Sequence, residues 1–442
     1  MNGEAVKAVQ AREEEVARLG GQAAYRLQAL RTLRLKTVVK ESHGTSVHAL
    51  AVNHCAPALG NLWATVGSNQ ATVYDSEHMG GHLAVAAHFT NAPTQHAPGG
   101  GLQCAAWLSA QGWSDHPDGD ACLAVAGADT NISVISVVEA RVVKLLQGHT
   151  KEVAELAAVP AAPRLLASLS RDGNLRLWDL PSETCLASLQ TDGTCLAMAP
   201  DGRSLLLGNS KGRLQQYDIV PAAADPAAVA AAIAAGSSVA EATATRLCIE
   251  GASRREAKCL GSCHTDAIDC LRFLPGSRLA SKSSDGRMFV WRISGGGSSG
   301  DASSSGEPGG GGSGMQLAVA ATWKVPACSS AGGWGSRCQF GATADGRYIS
   351  VGNSKGDCYV YDSDSGERAA HVSAIRVSAP VRACGLSEDC RHLMAVLGKG
   401  FVFRFEYTGP LAAAQLDGDD GGEQLDGKEN TNSGQQEVAA GR

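Results

Sequence analysis

The stretch APDGRSLLLGNSKGRLQQYDI, starting at Ala199, returns in outline as TADGRYISVGNSKGDCYVYDS, starting at Thr343. Both have an Asp-Gly turn, a short apolar run, an identical Gly-Asn-Ser-Lys-Gly and a closing alternation that ends in Tyr-Asp. Self-similarity of this kind constrains the fold more than composition can, because it makes the chain one small unit used several times. The template is strand, turn, strand, small polar turn, and a strand ending in an aromatic. It recurs in LWATVGSNQATVYDS from Leu62, CLAVAGADTNISVISV from Cys122, LLASLSRDGNLRLWDL from Leu165, RLASKSSDGRMFVWRI from Arg278 and HLMAVLGKGFVFRFEY from His392, which makes seven units.

Each unit holds only a few short strands of alternating polarity and cannot bury its own apolar face. The units must therefore stack about an axis and share a core. The expected fold is all-β, a closed ring of seven blades over residues 34–408. LRLKTVVKE from Leu33 reads as a lone strand that completes the last blade and leaves no open edge. Residues 1–33 read as a helical extension, broken at Gly20-Gly21, that packs back on its own domain or docks on a partner. The Ala-rich stretch 220–246, with a possible short helix, and the Gly/Ser-rich stretch 294–314 read as insertions between blades. GGGGSG in the second has no helix after it to position a phosphate, so it reads as linker. Residues 409–442 form an acidic, Gly/Gln-rich tail expected to be disordered.

One unit, residues 148–180, opens with Gly-His and closes with Trp-Asp. It resembles a WD repeat. That family joins a loop His, a second-strand Ser/Thr, a turn Asp and a third-strand Trp in one hydrogen-bonded chain, here His149, Ser168, Asp172 and Trp178. A buried indole N–H, hydroxyl and imidazole each need a partner, and a satisfied chain fixes one geometry. The set therefore reads as a structural brace. The same residue types make hydrolase triads, but no nucleophile elbow or oxyanion loop accompanies them, and no catalytic residue is expected. The other units keep an aromatic at the third strand (Tyr74, Tyr217, Trp291, Tyr361, Phe403) and mostly lose Gly-His, so they read as held by apolar packing.

Hydrophobic residues make up 44% of the chain, enough for a large core, while the formal charge is −6 with no dense Lys/Arg run. Direct nucleic-acid binding has no support in that pattern. Fourteen cysteines without a C-x-x-C pair, and the absence of any long apolar run, fit a reduced, soluble, intracellular protein off the membrane. Cys259, Cys263 and His264 come nearest to a metal cluster but lack the paired spacing of a zinc site. No metal or cofactor is expected.

A closer likeness rests on KESHG at 40, ATVGSNQATVYDS at 64, CAAW at 104, LAVAG at 123, GHTKEVAEL at 148, SLSRDGNLRLWDL at 168, IDCLRF at 268 with LASKS at 279, and VGNSKGDCYVYD at 351. In this order the segments resemble the embryonic ectoderm development / extra sex combs proteins of the Polycomb repressive complex, called fertilization-independent endosperm proteins in plants, over about residues 35–407. The resemblance implies a nuclear, non-enzymatic WD40 scaffold, monomeric within a hetero-complex. One face of such a disc grips a helix of a SET-domain histone methyltransferase; the other reads a trimethylated lysine of a histone tail in an aromatic cage. Three positions depart from that cage. His48 stands where a Phe is expected and Gln103 where a Tyr is expected. Ungapped alignment puts Ser336-Arg337 in place of a Trp-Tyr pair, while Trp334 serves as a wall only with a two-residue insertion. The cage therefore reads as degraded.

The likeness extends more faintly to the WD half of the leucine-rich-repeat and WD-repeat protein that accompanies the origin recognition complex. A third reading is a ubiquitin-ligase substrate receptor, but Trp178-Asp179-Leu180-Pro181 and Trp291-Arg292-Ile293-Ser294 lack the Trp-Asp-x-Arg common there. Lys428-Glu429-Asn430 resembles a KEN degradation box.

Overall fold

The structure, a computed structural model, describes every residue except 1–2, 43, 56–58, 77–81, 94–98, 114–119, 222–246, 250–254, 262, 295–314, 329–336, 374–378, 408 and 410–442. The acidic tail, the KEN sequence, Trp334 and most of both insertions lie outside the described residues.

Seven antiparallel sheets follow one another along the chain and close into a β-propeller. Blade 1 runs Val47–Val52, Leu62–Gly67, Gln70–Asp75, Ala84–Thr90; blade 2 Leu102–Ser109, Ala121–Gly127, Ile132–Ser136, Arg141–Leu146; and blade 3 Val153–Ala157, Leu165–Ser170, Asn174–Asp179, Thr184–Gln190. Blade 4 runs Gly193–Met198, Ser204–Asn209, Leu214–Pro221, and blade 5 Ile268–Leu274, Arg278–Ser283, Arg287–Ser294, Gln316–Lys324. Blade 6 runs Gly341–Ala342, Tyr348–Gly352, Asp357–Asp362, Arg368–Ser373, and blade 7 Val381–Leu386, His392–Leu397, Phe401–Glu406.

Arg34–Lys40 adds the fourth strand of blade 7, antiparallel to Phe401–Glu406 with Val38 opposite Phe403, so the first strand of the chain closes the ring. The second and third strands meet at turns whose glycine the sequence supplies. Gly173 and Gly356 sit at φ +82° and +102°, a region where a side chain is strained.

The core sits between blades rather than within them. Leu165, Ala167 and Leu177 of blade 3 pack on Leu196, Leu205 and Tyr217 of blade 4. Seven such apolar clusters span the seven blade junctions, the last joining Trp63 and Tyr74 of blade 1 to Met394 and Val402 of blade 7. Second strands buried along their whole length, such as Leu165–Ser170 and Ala121–Gly127, follow from having a neighbour on each face.

The fourth blade is irregular at its rim. Ile219–Pro221 pairs with Leu247–Ile249, and Gln215–Gln216 pairs with Arg255–Glu256. Lys258–Leu260 then crosses to blade 5 and runs parallel to Gln316–Ala318. Strand pairing therefore extends into both expected insertions. Val220 and Pro221 stay in blade 4, and Ser294 stays paired with Gln316, because each is held by the strand on the far side of the insertion.

Helices Gly3–Arg18 and Gln22–Arg31 are separated at Gly20 and Gly21, both at positive φ. The second packs on blades 6 and 7. Tyr25 meets Tyr407 edge-on at 5.9 Å, and Arg26 forks onto the Asp345 carboxylate while its Nε donates to Cys390 Sγ. One compact unit, Met1–Tyr407, thus holds the helices with the propeller.

The inner strands carry the feature that builds the axial site. The inner strand of each of blades 1, 2, 3, 4, 5 and 7 has a register shift one residue from its start, at 47/49, 102/104, 153/155, 193/195, 268/270 and 381/383. A bulge turns the extra residue off the pairing plane. The residues so displaced are His48, Gln103, Ala154, Thr194, Asp269 and Arg382.

Candidate functional site

Blade 3 brings His149, Ser168, Asp172 and Trp178 together. Trp178 Nε1–H donates to Ser168 Oγ at 2.8 Å, and Ser168 Oγ lies 2.7 Å from His149 Nε2. His149 Nδ1 lies 2.9 Å from Asp172 Oδ2, which also accepts from Thr150 N at 3.0 Å. Since the Ser168 oxygen already accepts from the indole, its proton goes to Nε2, and Nδ1 carries the hydrogen given to Asp172. Burial would raise the Asp172 carboxyl, but hydrogen bonds from Thr150 N, His149 and Asn174 N outweigh it and pull it down to about 2. The distances are those of a hydrolase triad, yet Ser168 is fully enclosed and its oxygen is occupied by Trp178, so no substrate carbonyl can approach it.

Blade 5 repeats the arrangement without either dipeptide. His264 Nε2 lies 2.7 Å from Ser281 Oγ, which accepts from Trp291 Nε1 at 2.7 Å. On the other side His264 Nδ1 meets Ser283 Oγ at 2.9 Å, and Ser283 donates to Asp285 at 2.6 Å. The sequence reading missed this set because Cys263 replaces the glycine and Arg292 the aspartate. The signal was the spacing, since serine and tryptophan are ten residues apart in both blades. His264 is thus engaged by serines, and among the described residues no group of three His, Cys, Asp or Glu is placed to hold a metal. Blade 1 has a third version, in which buried Glu41 accepts from Thr65 Oγ1 at 2.6 Å and from the Tyr74 hydroxyl at 2.9 Å. Polar bracing is therefore more widespread than the loss of Gly-His suggests.

At the axis, His48, Gln103, Ala154 and Arg382, all displaced by bulges, line one cavity of about 30 Å³ with Glu152, Arg171, Arg337 and Gln339. That is room for one or two water molecules. The structure so joins three of the four predicted cage positions, His48, Gln103 and Arg337. Among the described lining residues none is Phe, Tyr or Trp.

The charges at this mouth are ordered. Arg337 Nη1 lies 3.3 Å from Glu155 Oε2, and its Nη2 donates to the Thr194 carbonyl, so this side chain reaches from the start of blade 6 to blades 3 and 4. Burial pushes the Glu155 carboxyl up to about 7, against the opposing pull of Arg337 and Arg272. Arg171 pairs with Glu152 at 3.0 Å. Nε and Nη1 of Arg382 are buried, and no described residue accepts from them. Sequence reasoning missed Arg382, since nothing in the strand alternation marks a bulged residue as axial, and Arg171 and Glu155, whose ion pairs only the folded chain brings together.

A seven-bladed ring with His-Ser-Trp networks defines a WD40-repeat β-propeller. The family described as "WD domain, G-beta repeat" matches residues 140–179 and 257–292, the segments that carry both networks. Within that class the chain resembles Polycomb proteins. It is 33% identical over 158 residues to Polycomb protein esc of Drosophila melanogaster, covering 35% of this chain and 34% of that protein. It is 26% identical over 140 residues to Polycomb group protein FIE2 of Zea mays, covering 32% and 34%. With Polycomb protein EED of Chaetomium thermophilum it shares 38% over 72 residues, covering 16% and 13%. The chain thus spans about a third of the length of the first two relatives. Among solved structures, a humanized mutant of the Chaetomium thermophilum Polycomb Repressive Complex 2 bound to the inhibitor GSK126 contains a chain that matches with a TM-score of 0.61 at 13% identity, over 86% of this chain and 99% of that one. At that identity the likeness is one of fold.

Proposed function

We propose that this chain is the non-catalytic WD40 scaffold of a Polycomb-type histone methyltransferase complex, in which the disc grips a helix of a SET-domain subunit. The similarity to Polycomb esc, EED and FIE2 proteins supports the reading. Nuclear location and a single copy within a hetero-complex belong to the same proposal.

The second half of the proposal is that trimethyl-lysine reading is lost, and one observation carries it: His48, Gln103 and Arg337 line the axial mouth at positions where the family keeps aromatic rings, with Arg171 and Arg382 beside them. A ring face attracts a quaternary ammonium, each good ring contributing about 0.5–2 kcal/mol. A guanidinium about 4 Å away repels it by about 4 kcal/mol at an effective dielectric near 20. The disc would then serve assembly rather than stimulation by a methylated tail.

Affinity purification of the chain from nuclear extract, read by mass spectrometry, tests the scaffold reading. The expected result is stoichiometric recovery of a SET-domain methyltransferase. Recovery of origin-recognition subunits, or of ubiquitin-ligase subunits, without a methyltransferase would contradict it.

A further inference from the structure

Arg382 is the cation at the mouth that the fold leaves over. Arg171 is matched by Glu152 and Arg337 by Glu155, so the three guanidinium groups face two carboxylates. Arg382 stands at the bulge of the inner strand of blade 7, where its backbone carbonyl accepts from Gln339 N at 2.7 Å and so ties blade 7 to blade 6. Its position is therefore fixed while two of its nitrogens lack an acceptor among the described residues. A buried guanidinium nitrogen without a protein acceptor is costly, and in native proteins such a group is met by ordered water, an ion or a ligand; being charged, it favours an anion.

We propose that the axial mouth is an anion site that takes a single carboxylate, with Arg382 as its cation and Gln103 and Gln339 as its neutral donors. A planar guanidinium edge matches a carboxylate with two parallel hydrogen bonds; Nε and Nη1 of Arg382 lie on different edges, so the carboxylate takes one of them together with Nη2. The small cavity favours a planar carboxylate over a bulkier tetrahedral anion. Bulges on neighbouring blades place Gln103, His48 and Arg382 around one opening, so a side chain entering along the axis meets all three together. The occupant is an acidic side chain of a peptide or a free small carboxylate, and the chemistry is the same for both. The inference does not depend on which complex the chain joins.

The test uses the whole chain and four peptides that differ only at the central residue, which is glutamate, glutamine, phosphoserine or trimethyl-lysine. They are titrated by calorimetry at low salt, and sodium acetate is followed separately by thermal shift. The glutamate peptide should bind at least about tenfold more tightly than the glutamine peptide and weaken as salt is added. Arg382→Gln should abolish the difference, whereas Arg213→Gln, at the rim of blade 4, should leave it intact. Acetate raising the melting temperature of the wild type but not of Arg382→Gln supports the same site, with a small carboxylate as occupant. Should Arg382→Gln fail to fold, Arg382→Lys keeps the charge but loses the fork, and should weaken the glutamate peptide several-fold while melting as the wild type does. Equal binding of glutamate and glutamine, a preference for trimethyl-lysine, or phosphoserine outcompeting glutamate would overturn the assignment.

Discussion

The indole N–H of Trp178 ends on Ser168 Oγ at 2.8 Å, and Trp291 repeats the pairing with Ser281 at 2.7 Å. In each blade the serine holds a tryptophan on the third strand to a histidine in the loop before the first. The bond therefore ties three parts of a sheet whose own hydrogen bonds run only between neighbouring strands.

Trp178→Ala should destabilise the chain by about 3–5 kcal/mol, through the lost aromatic and the cavity left behind. Ser168→Ala should cost about 1–3 kcal/mol by stranding the indole N–H and the imidazole. Chemical denaturation reads both, and an unchanged midpoint for Trp178→Ala would refute the brace.

Trp291→Ala should behave like Trp178→Ala even though its unit lacks Gly-His. The two sites lie in different blades with no shared partner, so the double variant should equal the sum within about 0.5 kcal/mol. A neutral Trp291→Ala would show that the blade 5 network carries no stability.

Removing residues 1–40 deletes the strand that covers Phe401–Glu406 and both helices packed on blades 6 and 7. The truncated chain should melt at lower temperature and self-associate through the freed edge. Static light scattering checks this; a monomer with native melting would contradict closure by the first strand.

Two buried groups set opposing pH dependences. Burial brings the His264 imidazole down to about 4, from an unfolded value of about 6.5. Between these values the unfolded chain takes up a proton that the native one refuses, so this contribution is complete above about pH 6.5 and lost as pH falls toward 4. Glu155 has the other sign. Its native carboxyl, raised to about 7, holds a proton that the unfolded one has released, so its contribution falls as pH rises from about 4.5 to 7. Glu155→Gln should therefore gain stability more steeply than the wild type between about pH 5 and pH 7, and His264→Gln less steeply. Denaturation midpoints at both pH values decide it, and parallel profiles would remove both assignments.

The ring was legible because repeats expose it. Gly-Asn-Ser-Lys-Gly at 208–212 and 352–356 marks the same turn in two blades, and LRLKTVVKE had nowhere to pair except the last blade. The blade 3 network was legible because both of its dipeptides are intact. Its blade 5 counterpart was not, since Cys263 and Arg292 replace the marker residues while the buried His264, Ser281 and Trp291 keep their spacing. The axial mouth was half legible. Alignment pointed to His48, Gln103 and Arg337, but that Arg382 and Glu155 join them depends on bulges and on blades far apart in the chain. Neither leaves a trace in local periodicity.

Calorimetric titration of a trimethyl-lysine histone peptide into the whole chain tests most directly whether this disc has exchanged an aromatic cage for an arginine-lined mouth. The account predicts no measurable heat up to about millimolar peptide, where binding free energy falls to roughly 4 kcal/mol. A Kd of about a micromolar, abolished by Trp334→Ala, would contradict it.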